Sequence, residues 1–289
     1  MPSLFPSNSG RMPSLPRSVA SAIPSVVGGK IRDVRTYAEH APAADLAGRL
    51  RCSWTAVTGG PGRVLPDGCL DLIWLGGELV VAGPDTAAVR TALPLGTQAA
   101  AVRFRPGAAP AVLGLPAFEL RDRRVPLAEL WPDGALLERR VSTAAGPAAR
   151  VAVLEEAVRG RLADAPPVDP VARAVLAGLV RGGDAVRSPV ASVAEEVGLS
   201  ERQLHRRCLA AFGYGAKTLD RVLRLQRVLA LARSPRRPPG GLAALAAAAG
   251  YADQAHLAHE CQALAGQTPR ALLGRGRPVA GSTEPGTAA

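Results

Sequence analysis

Lysine is almost missing from this chain: Lys30 and Lys217 are the only two in 289 residues, although the formal net charge is +11. Nearly all the positive charge is arginine, whose planar fork donates paired hydrogen bonds to phosphates and guanine edges. A GC-rich genome explains that bias as readily as selection for phosphate contacts. Histidine is also scarce, and His40 is the sole one before residue 205. A cupin-type metal site needs several histidines, so the N-terminal half lacks the ligands for one. A nucleophilic Cys69 would find only His40 or an aspartate as its base. The four cysteines, Cys52, Cys69, Cys208 and Cys261, make no CxxC pair and no metal spacing, so neither metal nor other cofactor is implied. No run of 18 apolar residues occurs, and no membrane span is expected.

What is present suffices for two domains. Hydrophobic residues make up 47% of the sequence, enough for ordinary packed cores. A pI near 10.8 favours an anionic partner. Residues 1–29 are rich in Ser, Pro and Gly, with prolines inside each short apolar patch; they read as a disordered tail rather than a signal peptide. Met12 is a candidate alternative start, and residues 276–289 read as a second tail.

Two stretches near the C-terminus repeat one device. Ala194 and Ala246 stand four residues before Gly198 and Gly250, a spacing at which a small residue lets two helices cross and glycine permits the turn. Ser200 and Asp253 are candidate N-caps, and Gln203 completes a capping box with Ser200. Leu204, Cys208 and Phe212, and likewise Leu257, Cys261 and Leu264, fall on one helical face, which makes both cysteines core residues. Each stretch is a helix-turn-helix unit with a second helix over 201–212 or 254–264. The face opposite Leu204 and Cys208 carries Arg202 and Arg206, with His205 beside them. A solvated basic face would look the same in one copy; two copies joined by an amphipathic helix over 217–233 point to DNA.

The pattern Gly250-Tyr251, Asp253-Gln254 and Gly266-Gln267-Thr268-Pro269 resembles the AraC/XylS family of bacterial transcription regulators, over about residues 168–273. The resemblance implies a seven-helix DNA-binding domain containing two helix-turn-helix units. The chain departs from it in the second reading helix, with His259 and then Gln262 where family members often carry a basic residue. Base contacts are expected from Arg202, Gln203 and Arg206, with His205 nearby, and from Gln254, His256 and His259. Ser200, Arg207, Lys217, Arg221 and Arg224 are the expected phosphate contacts.

Before this domain the pattern changes to short β-like runs at 51–57, 63–65, 70–75, 78–82 and 99–104, parted by Gly- and Pro-rich turns. Helices are expected at 108–113, 127–131 and 136–162, the last interrupted near Gly146-Pro147, and Pro166-Pro167 marks a linker. The expected fold is therefore α+β: a β-rich barrel- or sandwich-like sensor or dimerisation domain over 30–165, then an all-α DNA-binding domain over 166–275. The runs Val64-Leu65-Pro66-Asp67-Gly68-Cys69-Leu70-Asp71 and Val102-Arg103-Phe104-Arg105-Pro106-Gly107 resemble an uncharacterised N-terminal domain found on one branch of AraC-like regulators. Asp67, Cys69, Asp71, Trp74, Asp85, Arg103 and Arg105 are candidates to line an effector pocket. The alternative reading makes Asp67 and Asp85 turn residues, Trp74 core, and the arginines strand-face partners of carboxylates.

The expected protein is a cytoplasmic, nucleoid-associated regulator and not an enzyme. Its candidate partners are operator DNA, a small-molecule effector, a second copy of the chain and, for an activator, RNA polymerase. The competing class is a modifying enzyme fused to a DNA-binding module, such as a DNA-alkylation sensor. Such a sensor needs four clustered cysteines where this N-terminal half has two.

Overall fold

The structure, a computed structural model, describes residues 34–181, 189–234 and 237–274. Both expected tails and Met12 lie outside the described residues. The N-terminal domain is an antiparallel sheet in the order β1-β2-β7-β4-β5-β8. Its strands are β1 (Val34–His40), β2 (Leu50–Thr58), β4 (Asp71–Leu75), β5 (Glu78–Ala82), β7 (Gln98–Phe104) and β8 (Arg124–Pro126). A separate two-stranded ribbon pairs β3 (Gly62–Val64) with β6 (Val89–Thr91). Alternation along the strands sorts side chains between the two faces. Leu72, Trp74, Val102 and Phe104 pack on one side with Leu137 and Val141 of α2 (Gly134–Thr143) and Leu154 and Val158 of α3 (Gly146–Leu162). Trp54, Ile73, Val80, Ala99 and Ala101 fill the other side, together with Val64 from the ribbon. With both faces covered, the central strands read as unbroken apolar runs.

Each of the five expected strands is present within a residue or two of its expected bounds. β1, β6 and β8 are additional. The 108–113 helix is α1 (Ala109–Leu113), whereas 127–131 closes as a single 3-10 turn, Leu127–Glu129. Pro132 disfavours helical backbone at Trp131 and so stops it.

The C-terminal domain comprises seven helices among the described residues: α4 (Pro170–Arg181), α5 (Pro189–Glu196), α6 (Glu201–Phe212), α7 (Ala216–Arg233), α8 (Gly241–Ala248), α9 (Gln254–Ala265) and α10 (Pro269–Leu273). Leu204, Cys208 and Phe212 of α6, Leu257, Cys261 and Leu264 of α9, and a stripe of α7 from Leu219 to Leu229 share one core. Both cysteines are buried at equivalent positions, and all four in the chain are free thiols.

The domains press on one another. Leu65 belongs to the C-terminal core, and a Cβ at Gly107 would meet Phe212 at 3.0 Å. One at Gly68 would meet Leu219 at 3.4 Å and the Tyr214 hydroxyl at 3.7 Å. A fragment starting at Val168 carries its own core, so it is expected to fold and show helical circular dichroism. Uncovering Phe212, Tyr214 and Leu219 should lower its Tm by roughly 5–10 °C relative to the full chain. A fragment without helical signal would place the boundary elsewhere.

Candidate nucleic-acid interface

In the first unit, Ser200 caps α6 by accepting the Gln203 amide at 3.3 Å, and the Gln203 side chain accepts the Ser200 amide at 3.0 Å. This reciprocal box fixes the entry to the reading helix. Arg202, Gln203, His205 and Arg206 are exposed on α6. A Cβ at Gly215 would fall 2.7 Å from His205 Nδ1, so His205 lies against the α6–α7 turn. Lys217 is exposed in the first turn of α7. In the second unit Asp253 accepts the His256 amide at 2.7 Å and caps α9. Gln254 and His259 are exposed. His256 is half-buried: its Nδ1 accepts the Ala252 amide at 3.4 Å and its ring meets Tyr251 edge-on at 5.2 Å.

The three arginines among the expected phosphate contacts also have protein partners. Arg207 reaches Asp169 at 2.9 Å. Arg221 Nε donates to both oxygens of Glu260, at 3.1 and 2.8 Å, tying α7 to α9. Arg224 pairs with Asp220 at 3.0 Å, donates to the Gly250 carbonyl at 3.4 Å and lies 5.3 Å from the Tyr251 ring centre. Arg221 and Arg224 thus hold the two units together while Arg207 ties α6 to the start of α4, and each has only its remaining N–H groups for any further partner.

Five of the seven candidate effector residues come together around buried charge. Arg103, 2% exposed, lies 3.2 Å from Asp71, 3.7 Å from Asp67 and 3.6 Å from Glu39. Asp67 also accepts the Cys69 amide at 3.0 Å, and Asp85 forms a bidentate pair with Arg124 at 2.5 and 2.7 Å. The cavity lined by Asp67, Cys69, Asp71, Asp85 and Arg124 measures about 20 Å³, room for about one water. Trp74 and Arg105 lie elsewhere. Trp74 points to the helical side, donating to Ser142 at 2.9 Å beneath Arg150, and Arg105 is exposed and donates to the Ala47 carbonyl at 2.7 Å. Trp54, whose Nε1 donates to Asp71 at 3.1 Å, and Arg124 complete the cluster but are absent from the sequence-based set.

Burial drives the titration of this cluster. It pushes the Cys69 thiol well above the usual range, which makes that sulfur a poor nucleophile. It pushes the Asp71 carboxyl up to about 7 against the pull of Arg103. The folded protein therefore retains a proton that the unfolded chain releases near pH 4. Stability should fall between about pH 4 and pH 7, by on the order of 4 kcal/mol, and level off above. Urea unfolding of wild type and Asp71→Asn across that range tests this; the variant should lose most of the slope, and equal slopes would refute the assignment to Asp71.

Residues 38–126 match a domain of unknown function, DUF6597, and residues 193–275 match a family described as a helix-turn-helix domain. No curated protein matches the sequence. Among solved structures, apo ToxT with a lysine-to-alanine substitution, from Vibrio cholerae strain SCE256, is similar over 84% of this chain and 95% of that one, at 12% identity and TM-score 0.43. ToxT from Vibrio cholerae O395 is similar over 76% of this chain and 96% of that one, at 10% identity and TM-score 0.42. Among the described residues no helix is long and apolar enough to cross a membrane. With its paired units joined by one long helix, the chain carries an AraC-type helix-turn-helix domain at its C-terminus, preceded by a DUF6597 domain.

Proposed function

We propose that the protein is a sequence-specific transcription regulator that reads two successive major-groove segments on one face of DNA. The observation that carries this reading is the duplicated unit: two capped reading helices, α6 and α9, joined by the 18-residue α7. At 1.5 Å per residue α7 is about 27 Å long, on the scale of the ~34 Å helical repeat of DNA. Arg202, Gln203 and Arg206 with His205, and Gln254, His256 and His259, are the base-contact set. Ser200, the α6 N-terminal amides and Lys217 are the phosphate set, with Arg207, Arg221 and Arg224 contributing through their remaining donors.

Charge supports a division of labour between the units. Residues 187–237 contain eleven Arg and Lys against four acids, net +7, whereas residues 240–277 contain three against two, net +1. Phosphate neutralisation supplies most non-specific affinity, so the first unit anchors and the second discriminates. Such a regulator works in the cytoplasm on the nucleoid. For control by an effector, the support lies away from the Arg103 cluster. An open groove of about 440 Å³ between α2 and α3, floored by Trp131 and Leu137, is of a size that takes a small molecule.

Selection of bound sequences from a random DNA pool by the full chain tests the reading. Arg206→Ala should keep its circular dichroism and lose about 1–3 kcal/mol of discrimination at one or two base positions. Selection of the same operator with unchanged affinity would show that α6 presents another face to DNA.

A further inference from the structure

The last carbonyls of a helix have no partner within it. At the C-terminal end of α9 the N-terminal domain supplies partners for three successive carbonyls, those of the last two helical residues and of the Gly266 cap. The Ala88 amide, beside β6, donates to the Leu264 carbonyl at 2.7 Å. Arg63 Nη1, on β3, donates to the Ala265 carbonyl at 2.5 Å and to the Gly266 carbonyl at 3.2 Å. Its positive charge faces the negative end of the helix dipole. The other reading helix is treated alike: Arg121 Nη1 donates to the carbonyl of Gly213, the residue that caps the C-terminus of α6, at 3.3 Å.

Gly213 and Gly266 both adopt left-handed φ, 81° and 60°. A Cβ at Gly266 would sit 2.6 Å from Arg63 Nη1, and one at Gly213 would sit 2.6 Å from Pro84 and 3.1 Å from the Ala117 carbonyl. Between them, Gln226 of α7 donates to the Pro66 carbonyl at 2.6 Å. The gripped ends are opposite the capped N-terminal ends that carry Ser200 and Asp253.

We infer that the N-terminal domain gauges the separation of the two reading helices, with Arg63 as the residue that positions α9. This inference rests on the DNA-reading function proposed above. α9 carries no Arg or Lys, so it has no permanent cation of its own to seat it against phosphates, and its placement depends on preorganisation by the protein. A helix held at its C-terminal end tolerates little change in the distance between half-sites.

The test uses the full chain as wild type, Arg63→Ala and Arg63→Lys. Operators drawn from the random pool are compared with versions carrying one base pair inserted between the half-sites. Wild type should lose about tenfold or more in affinity on insertion, Arg63→Ala no more than about threefold, and Arg63→Lys, which keeps a charged donor, should recover most of the wild-type penalty. Amide exchange over residues 261–268 should quicken in Arg63→Ala. A wild-type spacing penalty in Arg63→Ala overturns the inference whatever its exchange. If the full chain selects no operator, the DNA-reading function fails instead, and exchange alone then decides the grip: unchanged rates in Arg63→Ala overturn it and faster rates support it.

Discussion

The guanidinium of Arg103, buried at the centre of the sheet on β7, is the point to which the N-terminal domain is tied. Transfer of that charge out of water is costly unless carboxylates surround it. Its partners come from three places: Glu39 on β1, Asp71 on β4 and Asp67 in the turn before β4. The Asp67 link matters most. That carboxylate also accepts the Cys69 amide, so the charge cluster dictates the shape of the Pro66-Asp67-Gly68 turn. The same turn meets Gln226 through the Pro66 carbonyl and approaches Tyr214 and Leu219 at Gly68. Buried charge in one domain thus sets a surface on which the other domain rests.

Through this continuity the two domains, though each has a core, share a packed contact. Leu65 sits in the helical core while its neighbours on the chain serve the sheet. A buried ion pair adds little net stability over an apolar replacement, but removal of one partner leaves an uncompensated charge. The cluster is therefore better understood as fixing one conformation of a turn than as strengthening the fold. A cavity of about 20 Å³ beside it is consistent with that role and too small for an organic ligand.

Much of this was legible in the sequence where a local rule governs. α6 begins and ends where the capping box and Gly213 place it, because caps act within four residues. Parity alone separates Asp71 from Trp74: three residues apart on one strand, they must face opposite sides of the sheet. Arg103 and Arg105 share parity, yet β7 ends at Phe104, so Arg105 leaves the sheet. What sequence could not supply was pairing at a distance. Arg207 and Arg221 find their carboxylates 38 and 39 positions away, so they resemble surface cations until the helices are packed. The three-residue strands β6 and β8 are too short to show a period.

Under the DNA-reading function proposed above, the same distinction governs how α6 and α9 would meet DNA. α6 carries the exposed Arg202 and Arg206, so attraction to phosphate would correct small errors in its placement on docking. α9 has its one acidic side chain, Glu260, buried to 6% exposure against Arg221, and its exposed Gln254 and His259 offer only short-range hydrogen bonds. Hydrogen bonds fail within a fraction of an ångström of misplacement. A helix that reads by such bonds, without long-range charge to guide it, must arrive already oriented. Contacts to α7 on its flank and to the β3–β6 ribbon at its end hold α9 in one orientation, so under the proposed function sequence discrimination by the second unit would depend on residues that never touch DNA.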